Sequence, residues 1–124
     1  MATTFSTAAA AQLAGVSYRQ ADYYCRLGVL DPENNLAGSG SGKARVWTAE
    51  DVAALRVCGR LAELGAGTDV MTLAIAKLRL YPLVMWGGEV WVTTDGEVWD
   101  EAPPGVLCAR WIDLDAVVRD LPIA

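Results

Sequence analysis

No histidine occurs among the 124 residues, and the three cysteines, Cys25, Cys58 and Cys108, are widely spaced with no C-x-x-C pair. The first absence removes the usual zinc-ligand patterns and the second a disulfide framework, so no metal and no cofactor is expected. A thiolate sensor built from the three cysteines competes with a simpler reading, three small buried apolar side chains, because free cysteine is among the most buried residue types. No apolar run approaches the ~20 residues that cross a bilayer. No basic residue precedes the first apolar stretch, as a secretory signal requires, so a cytoplasmic protein is expected. Catalytic layouts are lacking too. Gly38-Ser39-Gly40-Ser41-Gly42 does not have the spacing of a phosphate-binding P-loop, and no nucleophile has an evident base partner, so an enzyme is not expected.

Positive charge is also scarce: the net charge is −5. The deficit is uneven. Residues 1–65 carry six basic and six acidic side chains, whereas residues 66–124 carry four basic and nine acidic. Any contact of the first half with a polyanion must therefore come from locally clustered charge and helix N-termini rather than bulk positive charge. Hydrophobic residues make up 53% of the chain, enough for a packed core in one ordinary domain or two small ones sharing it.

Start and stop signals divide the first half. Ser6 caps a helix running to about Ala14, with Phe5 and Ala10 as a weak hydrophobic staple, and Gly15 stops it. Ser17-Tyr18-Arg19-Gln20 reads as a capping box that opens a second helix ending at Gly28, with Ala21, Tyr24, Cys25 and Leu27 on its inner face. Two short helices joined by about three residues with a glycine form a helix-turn-helix. Val29-Leu30 and Arg45-Val46-Trp47 are expected as the two strands of a hairpin wing around the glycine–serine run. Thr48 caps a third helix bearing Val52, Leu55, Cys58, Leu61 and Ala62 on its apolar side. Arg26, Arg56 and Arg60 read as solvated helix charges.

Thr68 is expected to cap a fourth helix with an apolar stripe of Val70, Leu73, Ala74, Leu78 and Tyr81, ending before Pro82. The period then changes. Val84-Met85-Trp86, Val90-Trp91-Val92, Val98-Trp99 and Val106–Ile112 read as strands, separated by Gly87-Gly88, Asp95-Gly96 and Pro103-Pro104-Gly105. Asp113 or Asp115 caps a last short helix ending near Leu121-Pro122. Four tryptophans fall within 26 positions. They suit the core of a tiny sheet, a dimer interface or an aromatic-lined pocket. The fold class is α+β: a winged helix-turn-helix over residues 1–65, then a small helix–sheet–helix module over 66–124.

Residues 5–65 resemble the N-terminal DNA-binding domain of MerR-type regulators. The resemblance rests on Gly15-Val16-Ser17-Tyr18-Arg19-Gln20 with Tyr23-Tyr24 and Gly28-Val29-Leu30, on Arg45-Val46-Trp47-Thr48-Ala49-Glu50-Asp51, and on Leu61-Ala62-Glu63-Leu64-Gly65. The Tyr18–Tyr23 segment and the glycine–serine wing are similar to actinobacterial and actinophage members. The resemblance implies a recognition helix (18–27) in the major groove, a wing (31–47) on the flanking backbone, and a homodimer. Residue by residue, it puts Tyr18, Arg19 and Gln20, with Ser17 at the helix start, at base edges or nearby phosphates. Tyr23 would reach a phosphate, and Lys43 and Arg45 would hold the backbone from the wing. Arginine suits guanine and glutamine suits adenine.

The resulting expectation is a sequence-specific, nucleoid-associated repressor that binds double-stranded DNA and dimerises through its C-terminal module. Pro82 stops the fourth helix too early for the long dimerisation coil typical of the resembled family. The acidic C-terminal surface offers a second, protein partner. Two alternatives stay open. One is an excisionase-like architectural factor that bends DNA. The other is an interaction module that keeps the fold without binding DNA, which the neutral charge of residues 1–65 and Asp22 on the contact helix favour.

Overall fold

Three side-chain caps set the helices of the first half. Ser6 accepts from the Ala9 N–H at the start of α1 (Thr7–Ala14). Ser17 and Gln20 close a reciprocal capping box on α2 (Tyr18–Arg26), and Thr48 and Asp51 close another on α3 (Ala49–Glu63). Each cap satisfies backbone donors that the first helical turn leaves free. Gly15 ends α1 at φ 72°, a left-handed conformation that costs a side-chain-bearing residue, and the chain turns at once into α2. The computed structural model describes residues 3–35, 44–105 and 108–122.

The wing is built differently from the expected hairpin. Val29 and Leu30 are buried but lie outside any strand. The wing base closes instead through one antiparallel bridge, Glu33 with Val46 (3.1 and 2.9 Å), and Trp47 pairs beyond it with Phe5 (2.8 and 2.9 Å). Phe5 thus works as a strand partner for the returning segment. Trp47 is fully buried, its indole N–H satisfied by the Thr7 hydroxyl at 2.9 Å, which locks the wing return onto α1. The glycine–serine tip and Lys43 lie outside the described residues.

The second half contains α4 (Thr68–Leu78), β1 (Glu89–Thr93), β2 (Val98–Trp99), β3 (Ala109–Asp113) and α5 (Leu114–Val118). The strands form one antiparallel sheet in the order β2-β1-β3, so the fold is α+β. Three details correct the sequence reading. The cap of α4 is Gly67, without a side-chain bond, and Thr68 is the first helical residue. Residues Leu83–Met85 form a 3-10 turn rather than a strand, because Trp86 turns inward and donates its indole N–H to the Leu78 and Tyr81 carbonyls at 3.1 Å. The Leu78 carbonyl, at the C-terminal end of α4, also accepts from the Tyr81 N–H at 3.1 Å, so the indole closes the turn that follows the helix. The buried stripe of α4 is Val70, Met71, Ala74, Ile75 and Leu78, leaving Leu73 and Tyr81 exposed, as Leu27 is on α2. Asp113 is the cap of α5.

One continuous hydrophobic core runs from Ala10 on α1 to Leu121, with α3 at its centre. Val52 through Leu55, Val57, Cys58 and Leu61 are all buried, because α1 covers one side of α3 and α4, β3 and α5 cover others. Arg56 departs from the expected solvated charge. It is half-buried and donates to the Leu13, Val117 and Arg119 carbonyls at 2.7–3.1 Å, tying the C-terminal ends of α1 and α5 to the central helix. Of the cysteines, Cys25 and Cys58 are buried as expected, whereas Cys108 is exposed.

Candidate nucleic-acid interface

The capping box fixes where α2 begins, and the buried side of α2 fixes which way it faces. Ala21, Tyr24 and Cys25 anchor the helix in the core. The helical period then turns Tyr18, Arg19 and Tyr23 outward. Tyr18 is 57% exposed and Tyr23 52%, and Arg19 is exposed beside them. The Tyr23 ring is tilted 51° to that of the buried Tyr24 at a centroid distance of 6.0 Å. An edge contact of this kind orients an otherwise free side chain. Ser17 and Gln20 are also exposed, but both are engaged: Gln20 Oε1 accepts from the Ser17 N–H at 3.1 Å, and Ser17 Oγ accepts from the Gln20 N–H at 3.0 Å. The outer side of α2 therefore presents Tyr18 and Arg19 in its first turn, beside the positive end of the helix dipole, and Tyr23 in its second.

Arg45 occupies a different position. Its side chain is only 10% exposed, and it bridges the wing base to the second helix. Nη1 meets Asp22 Oδ1 at 2.7 Å and Nε meets Asn35 Oδ1 at 2.9 Å. Asn35 is itself buried and donates to the Cys25 and Leu30 carbonyls. The other oxygen of Asp22 is held by Arg26 Nε at 2.8 Å, one helical turn on. The Arg45 hydrogen bond, aided by the Arg26 charge, keeps the Asp22 carboxyl below its usual range. Asp22 is therefore a doubly paired anion rather than a bare negative charge on the contact helix. Its partner in Arg26 was foreshadowed by the four-residue spacing on one helix. The Arg45–Asn35 link had no local signal, since its residues lie ten positions apart in sequence, beyond the reach of helical or strand period.

Both buried thiols are desolvated. Burial raises the Cys25 pKa to about 11 and that of Cys58 to about 12, so both stay protonated at neutral pH. Among the described residues no three histidine, cysteine, aspartate or glutamate side chains gather at metal-binding distances, and no helix is long and apolar enough to cross a membrane.

A family profile described as MerR HTH family regulatory protein matches residues 5–72. Three curated relatives, named as uncharacterized HTH-type transcriptional regulators, come from Mycobacterium bovis and two strains of Mycobacterium tuberculosis. Each is 34% identical over 70 residues, which is 56% of this chain and 31% of the relative. The chain thus matches less than a third of the length of these relatives.

Proposed function

Since the chain belongs to the MerR family of helix-turn-helix regulatory proteins, we propose that it binds specific double-stranded DNA sequences as a homodimeric transcriptional repressor. The observation that carries this reading is the outward face of α2. Tyr18 and Arg19 stand on it at the end of the helix where backbone N–H groups favour phosphate, and Tyr23 follows one turn on. In this reading Arg19 reads a guanine edge, Tyr18 packs beside it, and Tyr23 holds a phosphate. Ser17 and Gln20 keep the helix start in shape and present their remaining polar atoms to the groove. Arg45 sets the wing base against α2, while Lys43 contacts the flanking backbone. The pairing of Asp22 with two arginines favours DNA binding over a module that has lost it, because the acid is already neutralised before a phosphate arrives.

The dimer is assigned to the C-terminal module. Leu80, Tyr81, Val84 and Met85 are all exposed and nearly consecutive, an apolar patch of the kind that marks an interface. No acidic residue lies between Asp69 and Glu89 in the sequence, so the patch itself carries no carboxylate, although Asp100 borders it. An α4 of 11 residues, roughly 16 Å long, supplies no coiled coil to hold two arms at a fixed distance. That favours repression by occupancy of a site over remodelling of a promoter.

The test is selection of bound duplexes from fragmented genomic DNA at physiological salt, with Arg19→Ala in parallel. The expected result is an enriched inverted repeat for the wild type, and for the variant an affinity loss of about 1–3 kcal/mol with relaxed preference at one base position. Tandem repeats would instead indicate head-to-tail architectural assembly. No enrichment by the wild type would overturn the reading.

A further inference from the structure

The outer face of the sheet carries a line of three indoles. The register sets Trp91 on β1 opposite both Trp99 on β2 and Trp111 on β3. The alternation that buries Val90, Val92 and Ile112 turns these three side chains to the opposite face. Trp111 is 42% exposed, and Trp91 and Trp99 are partly exposed. Carboxylates bracket the row. Trp111 Nε1 donates to Glu89 Oε2 at 2.7 Å, Trp99 Nε1 donates to Glu97 Oε2 at 3.2 Å, and Asp113 stands opposite Glu89 in the ladder. Arg110, the one cation in the three strands, pairs with fully buried Val92 and turns the other way, giving its Nε to the Leu64 carbonyl. The face therefore combines π surfaces with three acids. The cations beside it come from helices, Lys77 next to Trp99, and Arg56 and Arg60 next to Trp111, where Arg56 is held by backbone carbonyls and Arg60 by Glu63.

We infer that this face docks an extended, arginine-bearing segment of a partner protein. Guanidinium groups stack on indole faces and bond to carboxylates in the same plane, so a single residue type uses both features of the surface. A second copy of the chain fits poorly, since Glu89, Glu97 and Asp113 would oppose their own counterparts, and nucleic acid is repelled by the same charges. The inference is independent of DNA binding, because it concerns the DNA-free protein.

The experiment is a tryptophan-fluorescence titration of the full chain, without DNA, using a short synthetic peptide that alternates arginine and leucine. A matched glutamate–leucine peptide and a thymidine oligonucleotide serve as controls. Saturable binding of the arginine peptide alone, weakened by salt, is expected. Trp111→Ala should lower its affinity by about tenfold, and the combined Glu89→Gln and Glu97→Gln variant, which keeps every indole, by a similar factor. Unchanged peptide affinity in both variants would overturn the inference, as would equal binding of either control. So would a dimer that sediments as a monomer once Trp111 is replaced, since the face would then belong to a second copy.

Discussion

Removing either partner of the Asp22–Arg45 pair should cost unequal amounts, and the inequality follows from what each removal strands. In Asp22→Ala, the Arg45 guanidinium stays nine-tenths buried with only Asn35 Oδ1 to accept from it. Breaking a fully buried pair costs about 3–5 kcal/mol, and the 24% exposure of Asp22 means water reaches the gap, so about 2–3 kcal/mol is expected. In Arg45→Met, Asp22 keeps Arg26, the aliphatic stem is replaced, and the main loss is the donor to buried Asn35. That amounts to about 1–2 kcal/mol. Urea unfolding of wild type, both single variants and the double variant at pH 7 measures the coupling, expected at about 1–2 kcal/mol. Asp22 has a lowered pKa in the folded state, so its contribution is fully present above the unfolded-state value near 3.8 and is lost as pH falls through the folded one. The coupling should therefore hold from pH 7 to pH 5 and collapse in stronger acid. A larger cost for Arg45→Met than for Asp22→Ala, or a coupling under about 0.5 kcal/mol, would reduce the pair to an ordinary surface ion pair and refute the reasoning.

Native thiol labelling at neutral pH should modify Cys108 alone, with Cys25 and Cys58 reacting only in denaturant; early modification of three thiols would contradict their burial. The same two groups should cost stability in alkali. Their raised pKa values leave their contribution intact below the usual thiol value of 9.0 and remove it as pH rises toward about 11 and about 12, which thermal unfolding across that range would report. Gly96→Ala should destabilise by about 2–4 kcal/mol, since Gly96 sits at φ 81° and a Cβ there would lie 2.6 Å from Leu73 Cβ on α4. A cost below about 1 kcal/mol in chemical denaturation would mean that the turn yields freely.

Much of the first half was legible because its signals are local. Ser6, Ser17 and Thr48 each cap a helix within three residues of themselves, and Gly15 needs only its own φ to end one. The inward placing of Tyr24 and the outward placing of Arg19 follow from helical period alone. The first wing strand was misplaced at Val29-Leu30 for the opposite reason, although Val46 and Trp47 of the second do pair. Glu33–Val46 and Phe5–Trp47 are single bridges between distant segments, and a lone bridge leaves no alternating pattern to read. Trp86 misled because β-propensity reflects packing context, and here the context is the open end of α4.

Charge shows the same division. The sequence by itself determined that acidity gathers in the second half and that the contact helix carries an aspartate. It also determined where the helices start and stop in the first half, because caps, glycines and hydrophobic period act over one or two turns of chain. Only the tertiary structure decided which charges are free. It paired Asp22 with Arg45 across 23 positions, sent Arg56 to three carbonyls on two other helices, and lined three tryptophans along one face of a sheet. Those outcomes depend on where separate segments meet in the shared core, and a charge is neutralised or exposed by neighbours in space rather than in sequence.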